Sequence, residues 1–235
     1  MFAPSRLFSR RLVLALVLAV APWTGCRQGT DSPKPDEPAA DGMPNASVNQ
    51  RRSRRTEEQK YPRVKIETLL GDMVLKLDGE KAPLTVNNFL QYADEGFYDG
   101  TIFHDVSDGY AIIGGGYAED LTRKPTHLSV RNEAHNGLKN LRGTIAMARE
   151  PGTIDSATSL FFLNLADNPH MDHRNETTDG YGYCVFGRVV EGMDVADRIG
   201  KAQARQATAK DDASLDRLPV EAVVIKSIRV LPASE

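Results

Sequence analysis

The sequence predicts a mainly all-β domain, either a barrel or a sandwich, with two helices packed against it. Three observations carry this. Apolar residues recur in short runs bounded by glycine and polar clusters, only two segments show helical spacing, and the runs are too many and too short for a helical bundle. At 235 residues and 40% hydrophobic composition, the chain is long enough for one domain with a real core plus appendages.

After Tyr61, Val64, Ile66 and Thr68 alternate, and Met73, Leu75 and Leu77 alternate again beyond Leu70-Gly71-Asp72. Alternation on both sides of a glycine-bearing turn predicts an antiparallel hairpin. Pro83 then opens a segment in which Val86, Phe89, Leu90 and Ala93 recur at helical spacing, and Gly96 closes it. Proline at a helix start and glycine past its end fit a core-facing helix. Strand-like runs follow at Thr101 to Val106, Ala111 to Ile113, Gly143 to Ala148, Ser159 to Leu163, Cys184 to Val190 and Val220 to Val230, with a second helix from Met193 to Ile199. No internal repeat is present.

The N-terminal region has a different character. Residues 1–25 read as a signal peptide, with Arg6, Arg10 and Arg11 ahead of an apolar run from Leu12 to Val20 that is too short to span a bilayer. Thr24-Gly25-Cys26 looks like the end of a bacterial lipobox, which makes Cys26 the expected lipidation site even though Trp23 replaces the usual leucine. Residues 26–60 are rich in proline, acids, serine and arginine and cannot bury enough apolar surface to offset the entropy of ordering, so they read as a disordered tether. The domain is expected over 61–235, exported, in the periplasm or cell envelope and lipid-anchored to a membrane. Cutting before Cys26 takes the 29 basic residues to 26 against 32 acidic ones, a balance of about −6 that argues against a nucleic-acid partner. With Cys26 lipidated, Cys184 is left unpaired in an apolar run, where a buried, inert thiol is expected.

Four motifs stand out in order: Phe103-His104-Asp105-Val106 followed by Gly109-Tyr110-Ala111-Ile112-Ile113-Gly114-Gly115-Gly116; Asn132-Glu133-Ala134-His135-Asn136-Gly137-Leu138 with Arg142-Gly143-Thr144-Ile145-Ala146-Met147-Ala148-Arg149; Asp155 to Asn164; and Val185 to Val195. Together they resemble the bacterial cyclophilin pattern over roughly Val64 to Leu231. The resemblance implies a closed eight-stranded antiparallel barrel capped by two helices, with a peptidyl-prolyl cis-trans isomerase groove on its outer face. It implies no metal and proline-containing segments as partners, which the leader makes those of exported proteins; no cofactor is expected, and the chain is expected to be a monomer.

Within that resemblance, Tyr110 and Phe162 line the proline pocket, Ala111 and Met171 stand where the family has other apolar residues, and Tyr183 marks the groove edge. Ala148 and Arg149 offer backbone to the peptide. The polar side departs from the family: Asp105 replaces the catalytic arginine, Ile113 the glutamine that steadies it, and Leu160 a neighbouring glutamine, while His170 makes the rim more polar. An ionised carboxylate cannot donate to an imide nitrogen and opposes the lone pair that develops as amide resonance breaks. Weak turnover is therefore expected, with a non-catalytic peptide-binding module or a lipid-anchored interaction platform as alternatives. Arg149 is the candidate to compensate for, or to pair with, Asp105. His170-Met171-Asp172-His173 is too loose a pattern for a metal site, and Gly114-Gly115-Gly116 lacks the lysine of a phosphate loop, so a close backbone approach is the expectation there.

Overall fold

The computed structural model describes residues 57, 59–211 and 213–232; the segment read as a signal peptide, Cys26 and most of the segment read as a tether lie outside the described residues. The elements run β1 (Arg63–Thr68), β2 (Gly71–Leu77), α1 (Pro83–Asp94), β3 (Thr101–Ser107), β4 (Ala111–Ala118), β5 (Thr144–Met147), β6 (Phe161–Asn164), β7 (Val185–Glu191), α2 (Met193–Gly200), β8 (Ala204–Thr208), β9 (Ser214–Pro219) and β10 (Val223–Val230). Eight strands close a barrel in the order β1-β10-β3-β4-β6-β5-β7-β2, while β8 and β9 form a separate two-stranded hairpin. The barrel strands pair antiparallel throughout. This is the closed barrel rather than the sandwich.

Period-2 alternation sorts the side chains into two layers. Ile112, Ile145, Met147, Phe161 and Leu163 point into the barrel core, and Ala111, Ala146 and Phe162, one residue away, form a separate buried cluster on its outer face. Inside, Phe89 of α1 meets Tyr98, Phe161 and Phe186 at ring-centroid distances of 5.2, 5.6 and 5.3 Å, so one helix plugs the barrel with an aromatic knot. The β1–β2 turn relies on Gly71 at φ +129°. A Cβ there would also sit 3.0 Å from Val195 of α2.

Helix α1 begins with proline and has no side-chain cap of its own at Ala82. The cap comes instead from far along the chain. Both carboxylate oxygens of Glu133 accept from the first turn, from the Leu84 and Thr85 amides at 3.2 and 2.9 Å, and the Thr85 hydroxyl donates to the same group at 2.7 Å. A buried anion at a helix N-terminus satisfies orphan amides and complements the helix dipole. Thr85 also lies 3.3 Å from the Cys184 sulfur, and burial pushes that thiol up to about 11. The cysteine is buried and free, as expected.

The observed boundaries depart most from the sequence reading in two places. β4 runs past Ile113 through the glycine run to Ala118, because those glycines let the chain pass where a side chain could not. A Cβ on Gly115, at φ +84°, would lie 2.7 Å from Phe161, and one on Gly116 would lie 2.4 Å from Leu160. The second correction concerns Val220, read as the start of the last strand. Its amide donates to the Gln203 carbonyl at 2.8 Å and ends the β8–β9 hairpin, so β10 begins only at Val223.

That hairpin is the element the sequence did not announce. Its β8 strand is almost wholly exposed, and the two anchoring residues, Leu215 and Leu218, are three apart instead of two. They break the strand period because β9 is bulged: Arg205 pairs with Leu218 and Ala207 with Leu215, so Asp216 and Arg217 together face the single residue Gln206. Leu215 and Leu218 bury themselves against Ile102 and Tyr117 on the outside of β3 and β4.

Candidate functional site

The barrel register places five residues in one row across the outer surface. Asp105 lies opposite Ile113, Ile113 opposite Phe162, Phe162 opposite Ala146, and Ala146 opposite Val185. Residues directly opposite in antiparallel strands share a face. The row therefore runs from a carboxylate at one end to an apolar floor at the other.

Phe162 is the centre of that floor. It is only 3% exposed, and the Tyr183 ring meets it edge-on at 5.6 Å and 85°. Tyr110, Ile113, Leu138, Ala148, Met171 and Tyr183 pack around the buried Ala111, Ala146, Phe162 and Val185. Seven of the residues singled out from the sequence are thus brought together, and Leu138, which was not, joins them from the loop after the 3₁₀ turn Ala134–Asn136.

The walls are held by backbone bonds. The Tyr110 carbonyl accepts from the Leu165 amide at 2.9 Å and from the Asn168 side-chain amide at 3.1 Å, and the Tyr183 amide donates to the Met171 carbonyl at 2.9 Å. His170, in the 3₁₀ turn Pro169–Met171, stacks on Tyr110 with centroids 5.8 Å apart and planes 12° apart. Its Nε2 lies 3.0 Å from the Tyr110 hydroxyl, so the polar rim expected at this position is built as a fixed pair. His173 goes elsewhere, with Nδ1 2.9 Å from the Tyr181 carbonyl, and among the described residues no three metal-ligating side chains cluster.

Leu160, read from the sequence at the polar side of the groove, lies against Gly116 and outside the apolar cluster. The Ala148 amide already donates to the Leu160 carbonyl at 2.9 Å, so any backbone contact from Ala148 to a peptide is made through its own carbonyl. Arg149 neither pairs with Asp105 nor reaches toward it. Its Nε donates to the Gly182 carbonyl at 3.1 Å, its Nη2 to the Thr178 carbonyl at 2.7 Å, and its guanidinium lies 5.1 Å over the Tyr183 ring. Those bonds lock it into the loop ahead of β7.

Asp105 finds a different partner, Arg217 of the β8–β9 hairpin. The pair is bidentate, with Nε to Oδ1 and Nη2 to Oδ2 both at 2.9 Å. The carboxylate side chain is 20% exposed and the guanidinium side chain 49% exposed. Hydrogen bonding to Asp105 pushes the Arg217 pKa above its usual value. Ile113, half-buried beside the acid, has no polar group to offer it, which leaves Arg217 as its counter-charge. Arg217 lies outside every motif that directed attention to the groove, and the only sequence signal was a basic residue beside two spaced leucines ahead of the final strand.

The comparisons with known proteins agree with this geometry. A family profile described as "Cyclophilin type peptidyl-prolyl cis-trans isomerase/CLD" matches residues 63–230. Over 161 residues the chain is 48% identical to the peptidyl-prolyl cis-trans isomerase B of Escherichia coli (strain K12), covering 68% of this chain and 94% of that relative. Over 168 residues it is 45% identical to the peptidyl-prolyl cis-trans isomerase A of Dickeya dadantii (strain 3937), covering 72% and 84%. The chain belongs to the cyclophilin-type peptidyl-prolyl cis-trans isomerase family. Among solved structures, a cyclophilin-type isomerase of Cryptosporidium parvum superposes with TM-score 0.58 at 23% identity, over 74% of this chain and 99% of that one, which bears on the fold. That isomerase has also been crystallised in the presence of the dipeptide Ala-Pro.

Proposed function

We propose that this protein binds proline-containing segments of exported polypeptides in the outer groove and speeds exchange about their Xaa-Pro bonds, more slowly than relatives with arginine at position 105. The observation that carries the reading is the row itself: an apolar floor at Phe162, walled by Tyr110, Met171 and Tyr183, with a charged pair at one end. Rotation about a peptide bond faces a barrier of roughly 18–20 kcal/mol, and it falls when the amide nitrogen is held pyramidal and its developing lone pair accepts a hydrogen bond. No bond is made or broken. The groove needs only to hold the ring, fix one flank of the peptide and present a donor.

Reduced turnover follows from the acid. Loss of one preorganised donor costs about 10²- to 10³-fold in rate, and Asp105 brings a negative charge to the spot. The same substitution supports a second reading, a peptide-binding module without turnover. A prolyl-peptide isomerisation assay separates them. Wild type is expected to accelerate exchange above background, and the exchanged pair Asp105→Arg/Arg217→Asp to exceed wild type by about tenfold or more, since the donor then stands on the barrel strand. Peptide-induced NMR shifts at Tyr110 and Phe162 without acceleration would favour the binding module, and neither shifts nor acceleration would end both readings.

The location is proposed on the leader and the Thr24-Gly25-Cys26 motif: a monomer in the cell envelope, held to a membrane by lipid on Cys26 and spaced from it by the tether. Mass spectrometry of membrane fractions is expected to find an acylated Cys26 and to lose the protein to the soluble fraction in Cys26→Ser. An unmodified, soluble wild-type chain would overturn the anchor.

A further inference from the structure

We propose that Arg217, carried on the β8–β9 hairpin and held by Asp105, is the catalytic cation of this groove. The proposal rests on the isomerase reading above and names the group that supplies its turnover.

Position is the first argument. Asp105 ends the row that leads through Ile113 to Phe162, each one strand apart, and strands stand about 4.8 Å apart. A guanidinium clasped to Asp105 therefore stands at the polar end of the row, where Asp105 itself is two strand spacings from Phe162. Burial raises the pKa of the Tyr110 phenol on the pocket wall, and of the two charges in the pair Arg217 pulls it down while Asp105 pushes it up.

Local backbone is the second argument, because both members of the pair are aimed by bulges. On β3, Phe103 pairs with Gly114 and Asp105 with the very next residue, Ile113, so the chain gains a residue and turns Asp105 outward while Phe103 stays in the core. On β9 the extra residue falls at Asp216–Arg217, while Leu215 and Leu218 keep their grip on Ile102 and Tyr117. Bulges beside functional sites commonly re-aim a side chain. The hairpin is clamped at both ends as well, by the Ala209 amide on the Ala213 carbonyl at 2.9 Å and the Val220 amide on the Gln203 carbonyl at 2.8 Å.

Chemistry is the third. A guanidinium has five N–H donors, and Asp105 takes one from Nε and one from Nη2. Among the described residues nothing accepts from Nη1, which is left to meet a substrate, and the side chain is half exposed. The acid fixes the plane of the guanidinium and weakens its field at once. That combination yields a cation in place but muted, which is the reduced rate proposed above.

The test compares Arg217→Gln and Arg217→Lys with wild type in the full chain, measuring kcat and KM for a prolyl peptide, the peptide Kd and hairpin docking by amide NMR signals of Leu215 and Leu218. Glutamine keeps a donor for Asp105 but no charge. We expect kcat to fall about 10²-fold in Arg217→Gln with Kd changed less than about threefold, and lysine to restore part of it. Asp105→Asn, which keeps an acceptor and removes the charge, is expected to raise kcat about threefold or more by freeing the field of Arg217. Turnover of Arg217→Gln within about threefold of an active wild type, with the hairpin docked, overturns the proposal and leaves the isomerase reading standing. A fall in Asp105→Asn to the level of Arg217→Gln, with the Leu215 and Leu218 signals lost in both variants, also overturns it, since the pair would then only pin the hairpin. An inactive wild type sinks the reading and the proposal together.

Discussion

Truncating Phe162 to alanine is expected to abolish peptide binding and to cost about 3–5 kcal/mol of stability, the usual range for removing a buried phenylalanine. The size follows from its place. The ring lies on the outer face yet is almost wholly covered, by Tyr183 edge-on and by Ala111, Ala146 and Val185 beneath and beside it. The three small or branched neighbours cannot collapse into a phenyl-sized hole while the barrel ladder holds their backbones at fixed spacing. Phe162→Leu isolates the functional part. Leucine keeps most of the buried volume at a cost of under about 1.5 kcal/mol, but it changes the shape of the floor and of the Tyr183 wall that packs on the ring, so peptide affinity is expected to fall about tenfold or more. Urea unfolding and peptide titration of the two variants check this together. A leucine variant that binds like wild type would remove Phe162 from the pocket floor.

How much of this arrangement was legible in the sequence depends on which physical signal each part left. The barrel strands and both helices announced themselves by periodicity, because a residue such as Phe161 or Ile145 must alternate with one facing out. The groove was legible only through motif resemblance: alternation alone says that Phe162 and Ala146 face away from the core, which for most sheets means solvent. Asp105 was readable as a departure, and its consequence was not. Its partner is 112 residues away in sequence, on a hairpin whose anchoring leucines miss the strand period because of a bulge. Arg149 was the natural candidate because the family resemblance sets its position along the groove. It fails because the carbonyls of Gly182 and Thr178 converge on it from the loop before β7, a convergence no local pattern records. The Glu133 cap of α1 was hidden for the same reason, being a contact between residues nearly fifty positions apart.

Acid is expected to loosen the same corner of the molecule through His104. This histidine is 6% exposed, packs against Tyr117 with ring centroids 4.9 Å apart, and has a buried Nδ1 with no hydrogen-bond partner. Burial lowers its pKa to about 4; the neighbouring Asp105 charge pulls it up and Arg123 pushes it down, but neither overcomes desolvation. In the unfolded chain it titrates near 6.5. Above that pH both states are neutral and stability is unaffected. As pH falls below 6.5 the unfolded chain takes up the proton first, so stability drops steadily until the folded pKa is reached near pH 4, a loss of about 3 kcal/mol at 1.36 kcal/mol per pH unit. Tyr117 is also the surface on which Leu215 and Leu218 dock, so the hairpin carrying Arg217 is expected to lose protection before the barrel does. His104→Phe keeps an aromatic ring at Tyr117 and removes the titration. Urea midpoints at pH 7, 5.5 and 4 are expected to fall in wild type and to stay flatter in His104→Phe, with hydrogen exchange at Leu215 and Leu218 rising first in the wild-type chain. Parallel curves for the two proteins would show that the acid sensitivity arises elsewhere, and early exchange in the barrel strands would show that the hairpin is no weaker than the rest.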